Sequence, residues 1–469
     1  MIRRRMLLFP VTLFVGLLLC GSAGAQSPID DALQSIIPLK GEAFIFSVCP
    51  FLGATPDRNS VNETERLSGL CTEMVVNDYD GDATLGNDPN GLSLAERNQT
   101  YEQVAFDELA ATRAASTETT ATNIDLLKGR MIALRSGHRG VQLAGLGIRD
   151  SEGNQLRGRD LEASFAERLA AGDDPMSDLL SDRVGLWATG MGTWGDYDQT
   201  EEEAGFDIED AWGVVGGIDY RFSDRVAAGI SVGYSESTFD FDRNAGDLDK
   251  EAIHLAAYGT YQMERWYIDG VISYANIDYD LDRNIAYALG SAAPVTGTLA
   301  GDTDGDEFGV SVGVGYAFNR GAWEIEPYLR ANWTHLDIDS YTEDGSGLAA
   351  ALRLDFDDQT VRALSSDLGV AIRYALSTNF GVVTPYVRAE WAQEYGDDGR
   401  DLRATFVADP NQNGFAFRAH GPDRTYANIA AGLAATLSGG LSAFVDFETV
   451  LGLRSVDLYT LSAGLRYQF

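Results

Sequence analysis

With 469 residues and 71 acidic against 35 basic side chains, the chain carries a formal charge of −36. That length accommodates a barrel plus a smaller region, or two to three ordinary domains. The charge argues against a nucleic-acid partner, because phosphate contacts need clustered Lys and Arg. Solubility, a salty habitat and a cation-binding surface remain open as reasons for it.

Arg3-Arg4-Arg5, the apolar run Met6 to Cys20 and Ala23-Gly24-Ala25 have the layout of a secretory signal over residues 1–25, with cleavage expected before Gln26. Cys20 raises a lipoprotein alternative, although Leu19 stands where a small residue is wanted. Beyond this segment no long uninterrupted apolar run remains, so no transmembrane helix is expected. Of the three cysteines, Cys49 and Cys71 lie in the mature part. In an oxidising compartment a local disulfide is the default reading, with two buried thiols as the alternative.

Residues 26 to about 91 read as irregular, rich in Pro, Gly and Asp clusters. Ser93-Leu94-Ala95-Glu96 is a capping box, and Leu94, Tyr101, Val104, Ala105 and Leu109 follow at helical spacing. Residues 26–120 are thus a short, partly helical region containing the cysteine pair. Ile124, Leu127, Met131 and Leu134 resume a helical stripe over 121–137, with Gly137 as its stop. Residues 138–182 read as a loop-rich connector with one short helix around 160–171.

From Arg183 to Phe469 the period is two. Tyr459, Leu461, Ala463, Leu465, Tyr467 and Phe469 form an apolar face with aromatics at both ends, and Thr460, Ser462, Gly464, Arg466 and Gln468 form a polar or small face. Alternation alone also fits a soluble sheet. Aromatics bracketing the apolar face instead match the girdles of a lipid-facing band. Phe308 to Phe318, Val226 to Tyr234 and Ile429 to Leu437 repeat the design. Pro327-Tyr328-Leu329-Arg330-Ala331-Asn332-Trp333 and Pro385-Tyr386-Val387-Arg388-Ala389-Glu390-Trp391 repeat one pattern two strands apart. Tight joins near 438–440, 377–379, 319–321, 263–265 and 223–224 alternate with long ones at about 196–209, 239–249, 279–304, 339–359 and 396–424; the join at 454–457 is short. Short periplasmic turns and long outer loops are the habit of outer-membrane barrels. The fold class expected is therefore an all-β C-terminal transmembrane barrel of about 12 antiparallel strands over 183–469, preceded by a small irregular and helical N-terminal region.

Gly205-Phe206-Asp207-Ile208, Trp212-Gly213-Val214 and Gly217-Ile218-Asp219-Tyr220-Arg221-Phe222 closely resemble the second strand of the autotransporter translocators of type V secretion. Asn123-Ile124, Arg130-Met131 and Leu134-Arg135-Ser136-Gly137 resemble that family's segment before the barrel, and the terminal strand with Leu465, Tyr467 and Phe469 resembles its assembly signal. The resemblance implies a barrel in the outer membrane of a Gram-negative bacterium that passes or displays an upstream region and keeps a helix in its lumen. It implies outer-membrane lipid, the barrel-assembly machinery and periplasmic chaperones as partners, and a monomer. The short, unrepeated residues 26–120 depart from the long β-helical passengers of many members. A lumenal helix would carry Asn123, Ile124, Lys128, Arg130, Leu134 and Arg135, and the inward acids Glu390, Asp446 and Glu448 are expected to pair with its basic residues. Inward Gly309, Ser311, Gly313 and Gly315 are expected to leave room for it. Packing of the helix within the N-terminal region is the alternative.

No Gly-Asp-Ser motif precedes the barrel and no HExxH motif occurs. His254 has lumenal parity and His335-x-Asp337 lipid-facing parity, and Asp78, Asp80 and Asp82 lack the Gly and Glu a calcium loop needs. No cofactor, metal or catalytic residue is therefore expected, and the protein is expected not to be an enzyme. A structural or channel-forming barrel and a barrel-embedded hydrolase stand as alternatives to the translocator.

Overall fold

The computed structural model describes residues 47–78, most of 127–135, 148–149, 155–156, 183–198, 205–287, 294–395, 399–420, 424–437, 441–453 and 456–468. Twelve strands follow one another in chain order: β1 (Val184–Tyr197), β2 (Phe206–Ser223), β3 (Val226–Phe241), β4 (Gly246–Met263), β5 (Trp266–Tyr287), β6 (Val295–Tyr316), β7 (Trp323–Ile338), β8 (Gln359–Tyr374), β9 (Gly381–Glu394), β10 (Thr425–Leu437), β11 (Leu441–Leu451) and β12 (Val456–Gln468). Each pairs antiparallel with the next, and β12 returns to β1 from Val456↔Tyr197 to Gln468↔Gly185, so the sheet closes. Closure leaves no edge strand, which is what a sheet surrounded by lipid requires.

Outward positions carry bare apolar side chains: Ile230 is 62% exposed, Leu368 55% and Leu465 60%. Such a band suits hydrocarbon. Aromatics bound it. Trp194, Trp212, Tyr274 and Trp391 ring one rim, and Phe222, Trp266, Phe318 and Trp323 ring the other. At the second rim the turns are tight. Ser223 pairs with Val226 and Met263 with Trp266, leaving two-residue loops. Glu264 takes φ 51° there, as a hairpin turn matched to strand twist demands.

The opposite ends differ from the expectation of long loops. β3 and β4 stay paired up to Phe241↔Gly246, so 239–249 is a tight corner at Asp242–Ala245 rather than an extended loop. β5 and β6 run 22 residues each and remain paired to Tyr287↔Val295. The joins after β7 and β9 do leave the barrel, and Tyr341–Thr342, Leu354–Phe356, Gly399–Phe406 and Gly414–His420 pair into a separate four-stranded sheet.

Beyond the girdle the interior is apolar. Phe206, Ile208, Phe239, Phe241, Leu248, Ile277, Tyr279, Leu336 and Ile338 bury against one another there. A second core lies farther out. In it Val48, Leu52, Leu67, Leu70 and Cys71 pack with Tyr287, Val295 and Leu299 of the strand extensions and with Leu352, Leu354, Phe356, Leu402 and Phe406 of the outer sheet.

The reading of 26–91 as irregular is corrected by α1 (Glu63–Asp78). Asn62 caps it, its Oδ1 accepting from the amides of Thr64 at 2.9 Å and Glu65 at 3.4 Å, and Glu63 and Glu65 suit the first turn. The capping box at Ser93 and the helices expected around 94–109 and 160–171 lie outside the described residues. Within the connector, Ile148–Arg149 pairs with Gln155–Leu156.

Candidate functional site in the lumen

Inside the barrel, Leu127, Gly129, Arg130, Met131, Leu134 and Arg135 are helical. Leu127, Met131 and Leu134 form the stripe that faces Trp187, Val215, Ala227, Tyr258 and Val271, all inward residues of β1 to β5. Leu127 shares a cavity with Val215 and His254, while the Leu134 carbonyl accepts from Arg221 Nη2 at 3.0 Å. On β2 the order Val215, Arg221, Ser223 runs toward the tight turns, so the helix descends from the middle of the lumen to that rim.

Two guanidinium groups hold it. Arg130 Nε donates to Asp219 Oδ2 at 2.8 Å, a second donor of Arg130 reaches the same carboxylate, and the group lies 5.7 Å from the Trp187 ring centroid. Arg135 pairs with Asp269 and donates from Nη2 to Glu326 Oε1 at 2.9 Å, with its guanidinium 3.6 Å from the Tyr267 ring centroid. Tyr267 OH and Arg373 Nη1 complete Glu326, at 2.8 and 2.9 Å. Asp269 is wholly buried, and each burial of a lone charge costs several kcal/mol, so these groups are tenable only as a set.

The pairing partners are not those read from the sequence. Glu390 accepts from Tyr328 OH at 2.5 Å, and Glu448 pairs with Arg388. Asp446 lies by Tyr386, which bonds to it. The reason is proximity. Arg388 sits on the same sheet face as Glu390 and Glu448, two strands or fewer away, whereas the helix lies against β1 to β7. Asn123, Ile124 and Lys128 lie outside the described residues, so no partner is assigned to them. The acids that hold the helix, Asp219, Asp269 and Glu326, were legible only as inward-parity acids close to tight turns.

Of the small inward residues expected to leave room for the helix, Gly315 lies against a wall side chain, and Gly369 does the same. A Cβ on Gly315 would stand 2.3 Å from Tyr267 Cζ, and one on Gly369 would stand 2.4 Å from Tyr328 Cζ. These glycines seat rings from the neighbouring strand rather than the helix.

At mid-lumen, Ser235 Oγ and His254 Nε2 lie 2.8 Å apart on adjacent strands, and His254 and Glu307 line the cavity that Leu127 also lines. Which atom donates depends on the histidine tautomer. His335 instead faces outward, stacked beside Trp333 and 3.0 Å from Asp337. Leu465 points outward, Tyr467 is in register with Leu186 and Leu441, and Phe469 lies outside the described residues. Cys49 and Cys71 form a disulfide with Cα atoms 5.5 Å apart. Among the described residues no group of three or more His, Cys, Asp or Glu is placed to hold a metal ion.

The profile of the Autotransporter beta-domain matches residues 186–448. Esterase EstA of Pseudomonas aeruginosa is 26% identical over 265 residues, which is 55% of this chain and 39% of that protein. The Pertactin autotransporter of Bordetella parapertussis is 24% identical over 302 residues, 62% of this chain and 29% of the relative. The chain thus spans about two-fifths or less of these relatives' length. Among solved structures, the translocator domain of autotransporter NalP from Neisseria meningitidis gives a TM-score of 0.48 at 16% identity, over 66% of this chain and 94% of that one. The expectation of a protein without enzymatic activity is corrected by the two relatives named Esterase EstA, from Pseudomonas aeruginosa and Pseudomonas putida. A missing sequence motif says nothing about what a barrel of this kind carries.

Proposed function

Because the chain belongs to the autotransporter β-domain family, a barrel of the Gram-negative outer membrane, we propose that it moves its N-terminal region outward, keeps the helix of Leu127 to Arg135 in the lumen and displays the Cys49–Cys71 unit at the surface. The direction of the helix supports this reading above all else. The chain passes from the outer core down to Arg135 near the tight turns and then enters β1 from that same side. A segment threaded outward through a closed barrel has that path. The paired charges of Arg130 and Arg135 make the helix a plug, since leaving would take Arg130 from Asp219 and Arg135 from Asp269 and Glu326, which among the described residues would keep only Arg330 at 3.7 Å and Arg373 at 2.9 Å. Outer-membrane lipid, the barrel-assembly machinery acting on the terminal strand, and periplasmic chaperones are the partners this role needs, with the barrel working as a monomer.

Conductance tests the plug. In a planar bilayer the full chain should conduct little, and a chain lacking residues 26–136 should conduct freely. Equal conductance from both would refute the plug and favour a channel-forming barrel.

A second reading is hydrolysis of an ester. It draws on the esterase names of the two relatives and on the 2.8 Å Ser235–His254 pair, a hydroxyl within reach of a base. Purified full-length protein should then cleave p-nitrophenyl esters, and Ser235→Ala should abolish this without changing the barrel's heat-modifiable migration. Undiminished cleavage by the variant would remove the chemistry from this pair.

A further inference from the structure

We infer that the Cys49–Cys71 unit is a docked lid, which closes the outer mouth and stays on the barrel after the chain connecting it to the lumenal helix is cut. The inference rests on the outward placement of this unit proposed above and adds what holds it there.

The unit has no apolar core of its own size. Leu67 and Leu70 of α1 are fully buried, yet the residues that bury them include Leu299 of β6 and Leu352 and Leu354 of the loop after β7. Removing α1 from the barrel would expose both faces of one core to water, and burial of that kind is the main favourable term in association.

Directional contacts then fix its position. Arg353 Nη2 lies 2.7 Å from Glu63 Oε2 on the first turn of α1. Arg66 Nη1 donates to the Gly347 carbonyl at 2.6 Å, and Asn411 Nδ2 donates to the Phe51 carbonyl at 2.8 Å. These three bonds reach two loops, after β7 and after β9, which pair with each other in the outer sheet. Beneath them Arg283 of β5 donates to Glu343 Oε1 and Oε2, at 2.9 and 2.6 Å, and to the Leu352 carbonyl at 3.0 Å. The loop that receives the lid is thereby tied to the barrel wall. The disulfide holds the start of the unit, at Cys49, against α1 at Cys71, so both halves of the contact travel together.

A covalent link through the lumen is therefore unnecessary to retain the lid. The test is to replace residues 85–90 with the recognition sequence of a site-specific protease and to treat intact cells. The fragment containing residues 47–78 should remain cell-bound after complete cutting and leave only under denaturing conditions. In the same background, Leu67→Asp with Leu70→Asp should raise its release about tenfold or more, with the barrel's heat-modifiable migration unchanged. Immediate release of the unaltered fragment would overturn the lid while leaving outward placement intact. Release no greater from the double variant would overturn the interface described here. A site cut only after the cells are permeabilised would overturn outward placement, and the lid with it.

Discussion

The two halves of the barrel interior solve one problem with opposite chemistry. Near the tight turns the lumen is ionic, with Arg130, Arg135 and Arg373 matched to Asp219, Asp269 and Glu326 around the helix. Beyond the girdle it is a packed apolar core built from Phe206, Phe239, Phe241, Leu248 and Tyr279. The first is a seal made with a guest segment and depends on every charge having its partner. The second is made by the wall itself, where the strands have left the lipid and behave like a water-soluble sheet with an apolar inside.

The largest expected effect breaks the ionic half. Arg135→Ala leaves Asp269 and Glu326 without their shared cation and should destabilise the folded barrel by about 3–5 kcal/mol, read as a lower temperature of heat-modifiable migration. Joint replacement, Arg135→Met with Asp269→Asn, should recover part of the loss, because Glu326 keeps Arg373 and the uncompensated charge at Asp269 is the damage. If it recovers nothing, the guanidinium matters for packing on Tyr267 instead. Phe239→Ala is the matching change in the outer half. It should cost about 3–5 kcal/mol through the cavity it leaves, and no charge reversal elsewhere should rescue it.

A smaller effect tests whether the wall or the guest fills the space beside inward glycines. Gly369→Val would press on the Tyr328 ring and disturb its 2.5 Å bond to Glu390. A loss of about 1–3 kcal/mol is expected, and it should persist in a chain lacking residues 26–136. Dependence on the helix would show that the guest, not the ring, occupies the site.

How much of this could be read in advance follows from the same contrast. Along β3, Ile230, Val232 and Tyr234 point outward, but Phe239 and Phe241, of opposite parity, point inward. The apolar face changes sides where the strand leaves the lipid. A search for period two meets that change as the end of a strand, which is why 239–249 and 279–304 read as loops. The barrel itself was legible because lipid-facing residues and tight turns repeat around the whole ring. The identities of the helix's acidic partners were not, since parity says which acids face inward but not which strand the helix lies against. α1 was overlooked because its cap, Asn62, stands among residues that also favour turns.

The smallest effect concerns the outward face of the strand extensions, where aspartates stand directly opposite one another, as at Asp278↔Asp304 and Asp280↔Asp302. A hydrogen bond with Asp278 raises the Asp304 carboxyl above its ordinary range, and burial followed by the charge of Asp302 raises that of Asp280. A raised folded-state value means the folded form takes up the proton more readily than the unfolded one. Stability from this source is therefore gained as pH falls through the raised value and lost as it rises above it. Asp280→Asn with Asp304→Asn should make the extensions slightly more resistant to protease near neutral pH and flatten this dependence. Lower resistance in the variant would show that the carboxylates are held by something other than their mutual repulsion.

The 22-residue length of β5 and β6 has a consequence for height. From Tyr274 at the girdle to Tyr287 at the tip, a strand rising ~3.3 Å per residue and tilted ~40° climbs roughly 30 Å above the hydrocarbon. The hairpin is a pedestal. It carries α1 and the outer sheet clear of the lipid headgroups, and with the outward placement proposed above a large molecule approaching the cell would meet the pedestal's summit before it met the membrane.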